Sequence, residues 1–297
     1  MATPPRSTTP AEPLALSAPI ALAEAPRLCR RDPHTGEDCA WYHGLWQTLR
    51  ILDVVSAADK HADFFHDTIG PLARDGRFPR VLVSGTADYS LPAQVLAIYE
   101  RAGAALSLTV IDTCETPLFL TRWYAERAGA AVETRACDIL ELAAAPFDVI
   151  CTHSFLGRIA PSRRPDLVAA WRRLLRPGGK AVTVNRVRAA AEETDAAIPF
   201  TPAQADGLLA RALAAADAAP GSIPLDRAAL ADRVRRFTAA NRIHPVHSAA
   251  GVRALFEGGG FDLDLLEAGD RDAQGGLSTG PSIFSASAYL RLVASRR

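Results

Sequence analysis

Two aspartates and a glycine stand where short apolar runs end. Asp112 closes LSLTVID, Asp138 follows AVETRA in RACDIL, and Gly85 ends the run RVLVSG. A carboxylate at the carboxyl end of a buried strand accepts hydrogen bonds from both hydroxyls of a ribose. The same group, placed before Thr-Cys-Glu-Thr-Pro, can instead cap a helix, and Asp138 can equally serve a turn. A glycine lets the backbone turn sharply and approach a ligand closely. His153 and Ser154 lie just past a further apolar run in FDVICTHSFLGRI. Histidine titrates near neutrality, so His153 is a candidate general base, with His43, His244 and His247 as further ones. Trp41, Tyr42, Trp46, Phe64 and Phe65 suit either a pocket wall that favours a cation or simple helix packing.

Alternating elements must hold these residues. RVLVSG reads as a strand, and Ser90 and Pro92 start a helix that runs to Arg101. LSLTVID is a second strand, followed by a helix capped by Thr116, with Pro117 in its first turn and Gly129 near its end. AVETRA, FDVICT and GKAVTVN continue the strands, the last after a helix with Leu167, Ala170, Trp171, Leu174 and Leu175 on one face and Pro177-Gly178-Gly179 at its end. FDLDLLEAG and SASAYLRLVA close the chain as a strand pair. This alternation predicts right-handed crossovers and a doubly wound sheet.

Before the first strand, Tyr42, Leu45, Trp46, Leu49 and Leu52 recur at helical spacing, and Phe64, Phe65 and Ile69 continue after a break. Residues 27–77 are therefore expected to form an N-terminal helical cap. Residues 188–248 read as an alanine-rich helical insertion or lid, with no strand signal before His247. Residues 1–26, whose short apolar runs are broken by prolines, are expected to be a flexible tail and not a signal peptide.

Lys plus Arg and Asp plus Glu number 33 each, so no bulk field favours nucleic acid or an anionic membrane. The bunched Arg158, Arg163, Arg164, Arg172, Arg173 and Arg176 read as a solvated helix face, with an anionic partner as the other option. The 5 cysteines are scattered without a paired CxxC spacing, which fits free thiols in a reducing cytoplasm. Cys29, His34, Cys39 and His43 are ligand types, yet their gaps match no zinc-finger spacing, so no metal is expected.

Over about residues 78–297, this order of elements together with VLVSGTADYS, Asp112, Asp138, FDVICTHSFLGRI and WRRLLRPGGKAVTVN resembles the class I S-adenosylmethionine-dependent methyltransferases. The resemblance implies an α/β fold, a doubly wound seven-stranded mostly parallel sheet of Rossmann-like type, its last strand antiparallel, in a domain spanning 78–297. It implies S-adenosyl-L-methionine as cofactor, held by Gly85, Ala87, Asp88, Asp112, Thr113, Asp138, Ile139, His153 and Ser154. Asp112 would take the ribose, Asp138 the adenine amino group, and Ile139 would offer a backbone donor and an apolar wall. His153, Tyr42 and His43 are the candidate catalytic residues. The sequence departs from the family where Ala87 and Tyr89 replace further glycines and Val83 an acid; Tyr89 must turn away or cover the ligand. The expected function is methyl transfer to a small-molecule acceptor in the cytoplasm, with no nucleic acid or membrane partner and a homodimer left open. The alternatives are attack on another sulfonium carbon, releasing methylthioadenosine, and a non-catalytic cofactor-binding relative.

Overall fold

The computed structural model describes residues 12–31, 36–187, 195–269 and 288–297. In chain order these hold α1 (Leu14–Leu28), α2 (Ala40–Ile51), α3 (Ala62–Asp75), β1 (Arg80–Ser84), α4 (Ser90–Ala102), β2 (Ser107–Asp112), α5 (Glu115–Ala128), β3 (Val132–Ala136) and β4 (Phe147–His153). They continue with α6 (Arg164–Leu174), β5 (Leu175–Val187), β6 (Ile198–Pro199), α7 (Pro202–Ala218), α8 (Arg227–Ala240), β7 (Arg242–Ile243), α9 (Ala249–Gly258), β8 (Phe261–Gly269) and β9 (Ala288–Arg296).

Seven strands pair in the order β3-β2-β1-β4-β5-β9-β8. The first five run parallel, and β9 lies antiparallel to both β5 and β8. This is the doubly wound, mostly parallel sheet expected from the alternating pattern. The central strands β1 and β4 are nearly continuous buried runs, whereas the edge strands β3 and β8 mix exposed and half-buried residues, as covering both faces of a sheet's middle requires. On one face Phe64, Phe65 and Ile69 of α3 pack with Leu91, Val95 and Ile98 of α4 against Val81, Val83 and Val149. On the other, Leu167 and Trp171 of α6 and Phe256 of α9 cover Leu82, Ile150 and Ala181.

Several boundaries differ from the sequence reading. The expected tail is ordered from Glu12, and α1 buries Ser17, Ala18, Ala21 and Ala25. Those small side chains recur at helical spacing and let α1 lie close on α2, where a Cβ on Gly44 would stand 3.3 Å from that of Ala25. Pro19 and Pro26 are accommodated inside this helix. The expected cap divides: α2 covers the carboxyl edge of the sheet, while α3 belongs to a sheet layer, so Phe64 and Phe65 are core and not pocket wall. Residues 198–243 also contain strands, β6 and β7, which pair through Ile198 and Ile243. Two residues per strand are too few for a period to show. Helix α6 ends at Leu174, and Pro177-Gly178-Gly179 lies inside β5.

The helices of the insertion are not separate from those of the cap. Leu45, Trp46 and Leu49 of α2 share one buried cluster with Leu208 and Ala212 of α7 and Leu230, Val234 and Phe237 of α8. Cap and insertion thus form a single roof over the carboxyl ends of the strands.

Candidate active site

In the strand order the chain proceeds outward from β1 through β2 to β3 on one side and from β4 to β5 on the other. Between β1 and β4 the direction of winding reverses, and at such a switch point the loops leaving adjacent strands diverge and open a crevice. A cavity of ≈ 360 Å³ lies there. Gly85, Thr86, Ala87 and Asp88 after β1 line it, with Asp112, Thr113 and Cys114 after β2 and His153, Ser154 and Phe155 after β4. Trp41, Tyr42, His43 and Trp46 of α2 and its approach close it from above.

The turn after β1 needs its glycine. Gly85 has φ +70°, and a Cβ there would stand 2.4 Å from the Phe155 ring. Its N–H donates to the Ile111 carbonyl at 2.9 Å, tying the turn to β2. Tyr89 turns away from the cavity: it is fully buried, stacks on Tyr124 with centroids 4.8 Å apart, and its hydroxyl meets Ser17 Oγ at 2.9 Å. The position that breaks the glycine pattern therefore serves the docking of α1.

Asp112 holds the turn from below. Its Oδ2 accepts from the Thr86 N–H at 3.0 Å and its Oδ1 from the Cys114 N–H at 2.8 Å. Cys114, not Thr116, is the residue that precedes α5, so Asp112 braces the approach to the helix without capping it. A carboxylate has about four acceptor sites, so two remain for a ligand. Burial raises the pKa of Asp112 above the usual carboxylate range, against the pull of His43 and the two N–H groups.

Asp88 lines the cavity, but its carboxylate faces a buried ion network. Arg50 of α2 meets Asp88 at 2.7 Å, Glu12 at 2.6 Å and Asp59 at 3.2 Å. The second Asp88 oxygen accepts the N–H of Ser90, the first residue of α4, at 2.8 Å. Nothing local in the sequence marks Arg50, which sits in an otherwise apolar helical stretch.

Ser154 adopts a left-handed backbone, φ 55°, at the end of β4. Strain of this kind concentrates at functional sites and persists where neighbours fix it. Here the Ser154 N–H donates to the Val184 carbonyl at 2.7 Å, and Asn185 Oδ1 accepts the Leu156 N–H at 3.1 Å. His153 is held beside His61 and Tyr289, with ring centroids 5.2 Å and 6.5 Å away. Burial pushes its pKa down to about 4, with Asp59 and Arg50 as opposing smaller influences. It is a neutral imidazole at pH 7.

Tyr42 stacks between Trp46 at 5.1 Å and Phe237 at 5.7 Å, with the Arg158 guanidinium 5.0 Å from its ring centre. Burial raises its pKa, while Arg158 draws it down. Its place is in the aromatic wall. His43 directs Nδ1 at the Ala87 carbonyl, 3.2 Å away. Burial lowers its pKa, but Cys114 and Asp112 outweigh that and leave it raised.

Asp138 and Ile139 are not in the cavity lining. Ile139 is buried in the core behind the sheet. Asp138 is exposed, and its Oδ1 accepts the Leu140 N–H at 2.9 Å, the turn role. Of the arginines bunched near α6, Arg163 and Arg172 are on the solvated face that the sequence suggests, whereas others anchor neighbouring segments. Arg164 is buried and donates to the His244 and Pro245 carbonyls at 3.0 and 2.8 Å, Arg173 to that of Leu142 at 2.7 Å, and Arg176 to Asp148 at 2.5 Å. Arg158, which reaches Asn241 Oδ1 at 3.1 Å, joins β4's loop to the insertion and lines the cavity. No helix among the described residues is long and apolar enough to cross a membrane.

Comparison with known proteins agrees with this architecture. Residues 90–183 match a family described as methyltransferase domain. That stretch begins just after the altered glycine turn and includes Asp112, Asp138 and His153. Compared by sequence with curated proteins, the chain matches none. Among solved structures it is similar to the [4+2]-cyclase SpnF, with a TM-score of 0.53 at 13% identity, over 86% of this chain and 93% of that one. It is also similar to a magnesium protoporphyrin IX methyltransferase from Synechocystis PCC 6803 with bound SAH, with a TM-score of 0.46 at 12% identity, over 85% and 94%. Residues 90–183 are thus similar to a methyltransferase domain, and they lie in a seven-stranded sheet of order β3-β2-β1-β4-β5-β9-β8 whose β9 is antiparallel.

Proposed function

We propose that the protein binds S-adenosyl-L-methionine at the carboxyl ends of β1, β2 and β4 and transfers its methyl group to a small-molecule acceptor under the α2–α7–α8 roof. The observation that carries this reading is the cavity itself, in which a glycine turn, a strand-end carboxylate and an aromatic wall meet. The residues fit the cofactor. Asp112 keeps acceptor capacity for the ribose hydroxyls, the Gly85–Ala87 turn is free of bulky side chains, and Trp41, Tyr42 and Trp46 offer faces that favour a sulfonium. Asp138 lies two residues beyond Ala136, which pairs in register with Asp112. With one oxygen engaged at Leu140 and the side chain exposed, it can take the adenine amino group at the open end.

The bound cofactor supplies an electrophilic methyl on a leaving group that becomes neutral. The chain's own task is to align the acceptor and exclude water. Among the described residues, His153 Nε2, Trp46 Nε1 and Ser56 Oγ are buried without a hydrogen-bond partner, and all three residues line the cavity. Buried polar atoms usually find partners, so these favour an acceptor with its own polar groups. Neutral His153 can accept a hydrogen bond from the attacking atom and receive its proton.

Calorimetry with S-adenosylhomocysteine tests the site. Asp112→Ala should weaken binding by about 1–3 kcal/mol through unpaired ribose hydroxyls, and Asp138→Ala by about 1 kcal/mol or less, since its bond is exposed. Unchanged affinity in Asp112→Ala would refute the assignment. Turnover should yield S-adenosylhomocysteine; methylthioadenosine as product would place the attack on another sulfonium carbon.

A further inference from the structure

Three cysteines far apart in sequence converge beside this cavity. Cys29 closes α1, Cys39 precedes α2 and Cys114 precedes α5. Their sulfur atoms all lie within 4.8 Å of one another. Cys114 stands 3.5 Å from Cys39 and 3.5 Å from Cys29. Two sulfurs each about 2.3 Å from a tetrahedral zinc stand roughly 3.8 Å apart, so the three thiols are spaced almost as ligands of one ion are. A disulfide would join two and leave the third over.

The surroundings are those of a ligand set. Arg31 and Asp38 pair in an isolated antiparallel bridge, which brings Cys29 and Cys39 together. Thr116 Oγ1 lies 3.1 Å from Cys29 Sγ, a hydroxyl placed to support a thiolate. His43 is next to Cys114, the nearest of the three cysteines to it, and outside the three-sulfur group itself. Its Nδ1 is engaged by the Ala87 carbonyl, which fixes the tautomer and leaves Nε2 as the nitrogen open to a metal, the usual outer-shell arrangement of a ligating histidine.

We infer that Cys29, Cys39 and Cys114 form a zinc site that fastens the N-terminal helix to the turn carrying Asp112, and that His43, which stands outside the three-sulfur group, moves in as fourth ligand when the metal binds. Zinc displaces the three thiol protons and takes neutral imidazole, giving a Cys₃His set with no redox step. His43 is then a ligand and not a base, and the absence of a finger-like spacing in the sequence no longer counts against a metal, because the third cysteine comes from another part of the fold. His34, which the sequence places in the same quartet, lies outside the described residues.

The test is metal uptake by the full-length chain, reduced, stripped with a chelator and titrated anaerobically. About one zinc per chain should bind, and cobalt in its place should give the intense visible bands of a tetrahedral thiolate site. Cys39→Ser and Cys114→Ser should each lower the affinity at least tenfold, Cys137→Ser should leave it unchanged, and His43→Ala should shift the cobalt bands. No uptake by the reduced wild-type chain, a reading that does not depend on any variant folding, overturns the site. So does full uptake by folded Cys39→Ser. An unaltered cobalt spectrum in His43→Ala removes histidine from the set.

Discussion

Both carboxylate oxygens of Asp112 already hold backbone N–H groups, so the residue shapes the glycine turn before any ligand arrives. His61 and His153 show a second residue-scale effect. Burial comes first in lowering both, His61 to about 2 and His153 to about 4. The unfolded chain takes up these protons near the ordinary histidine value of 6.5, before the folded chain does. Stability from this source is therefore complete above that value and is lost as pH falls through the window from 6.5 toward about 4 for His153, and lower still for His61. The denaturant midpoint should fall between about pH 7 and pH 5, and His61→Leu should reduce that fall relative to the wild type. An equal fall in both proteins would show that His61 has no part in it.

At the scale of elements, the N-terminal segment is held by charge as well as by its small-residue face. Arg50 links α2 to Glu12, to Asp88 after β1 and to Asp59 in the short 3-10 turn before α3. Removing one member of a buried ion network leaves the others uncompensated, at a cost of about 3–5 kcal/mol. Arg50→Met should show that loss in chemical unfolding, and a drop below about 1 kcal/mol would mean that water reaches the carboxylates. Strand and helix positions were legible because their apolar periods are local: LTVID, FDVICT and the helix with Trp171 all lie where the pattern predicts. The α1 helix was not, since its buried face is alanine and serine, residues whose presence carries little hydrophobic signal. Its prolines pointed the other way.

At the scale of the molecule, cap and insertion share one core over the cavity, although about 160 positions separate them in sequence, as Leu45 and Leu208 illustrate. Phe237, fully buried and stacked on Tyr42, is central to it. Phe237→Ala should cost about 3 kcal/mol or more, and hydrogen exchange should rise in α2, α7 and α8 while the amides of β1, β4 and β5 stay protected. Uniform exchange throughout the chain would mean that roof and sheet open as one unit. Saturating S-adenosylhomocysteine should stabilise the whole protein, by about 2.7 kcal/mol at a hundredfold excess over Kd, and this gain should be smaller in Asp112→Ala.

The sequence by itself determined the alternation of strands and helices, the doubly wound sheet with its terminal strand pair, and the strand-end positions of Gly85, Asp112 and His153. These follow from local hydrophobic periods and from the rule that loops leaving parallel strands gather at one edge. Only the tertiary structure decided that Asp88 faces Arg50, that Tyr89 turns to Ser17, that Asp138 stands outside the cavity lining, and that Cys114 joins Cys29 and Cys39. The physical reason is the same in each case: the partner comes from an element distant in sequence, and which elements meet is set by sheet order and helix docking, which leave no trace in the spacing of neighbouring residues.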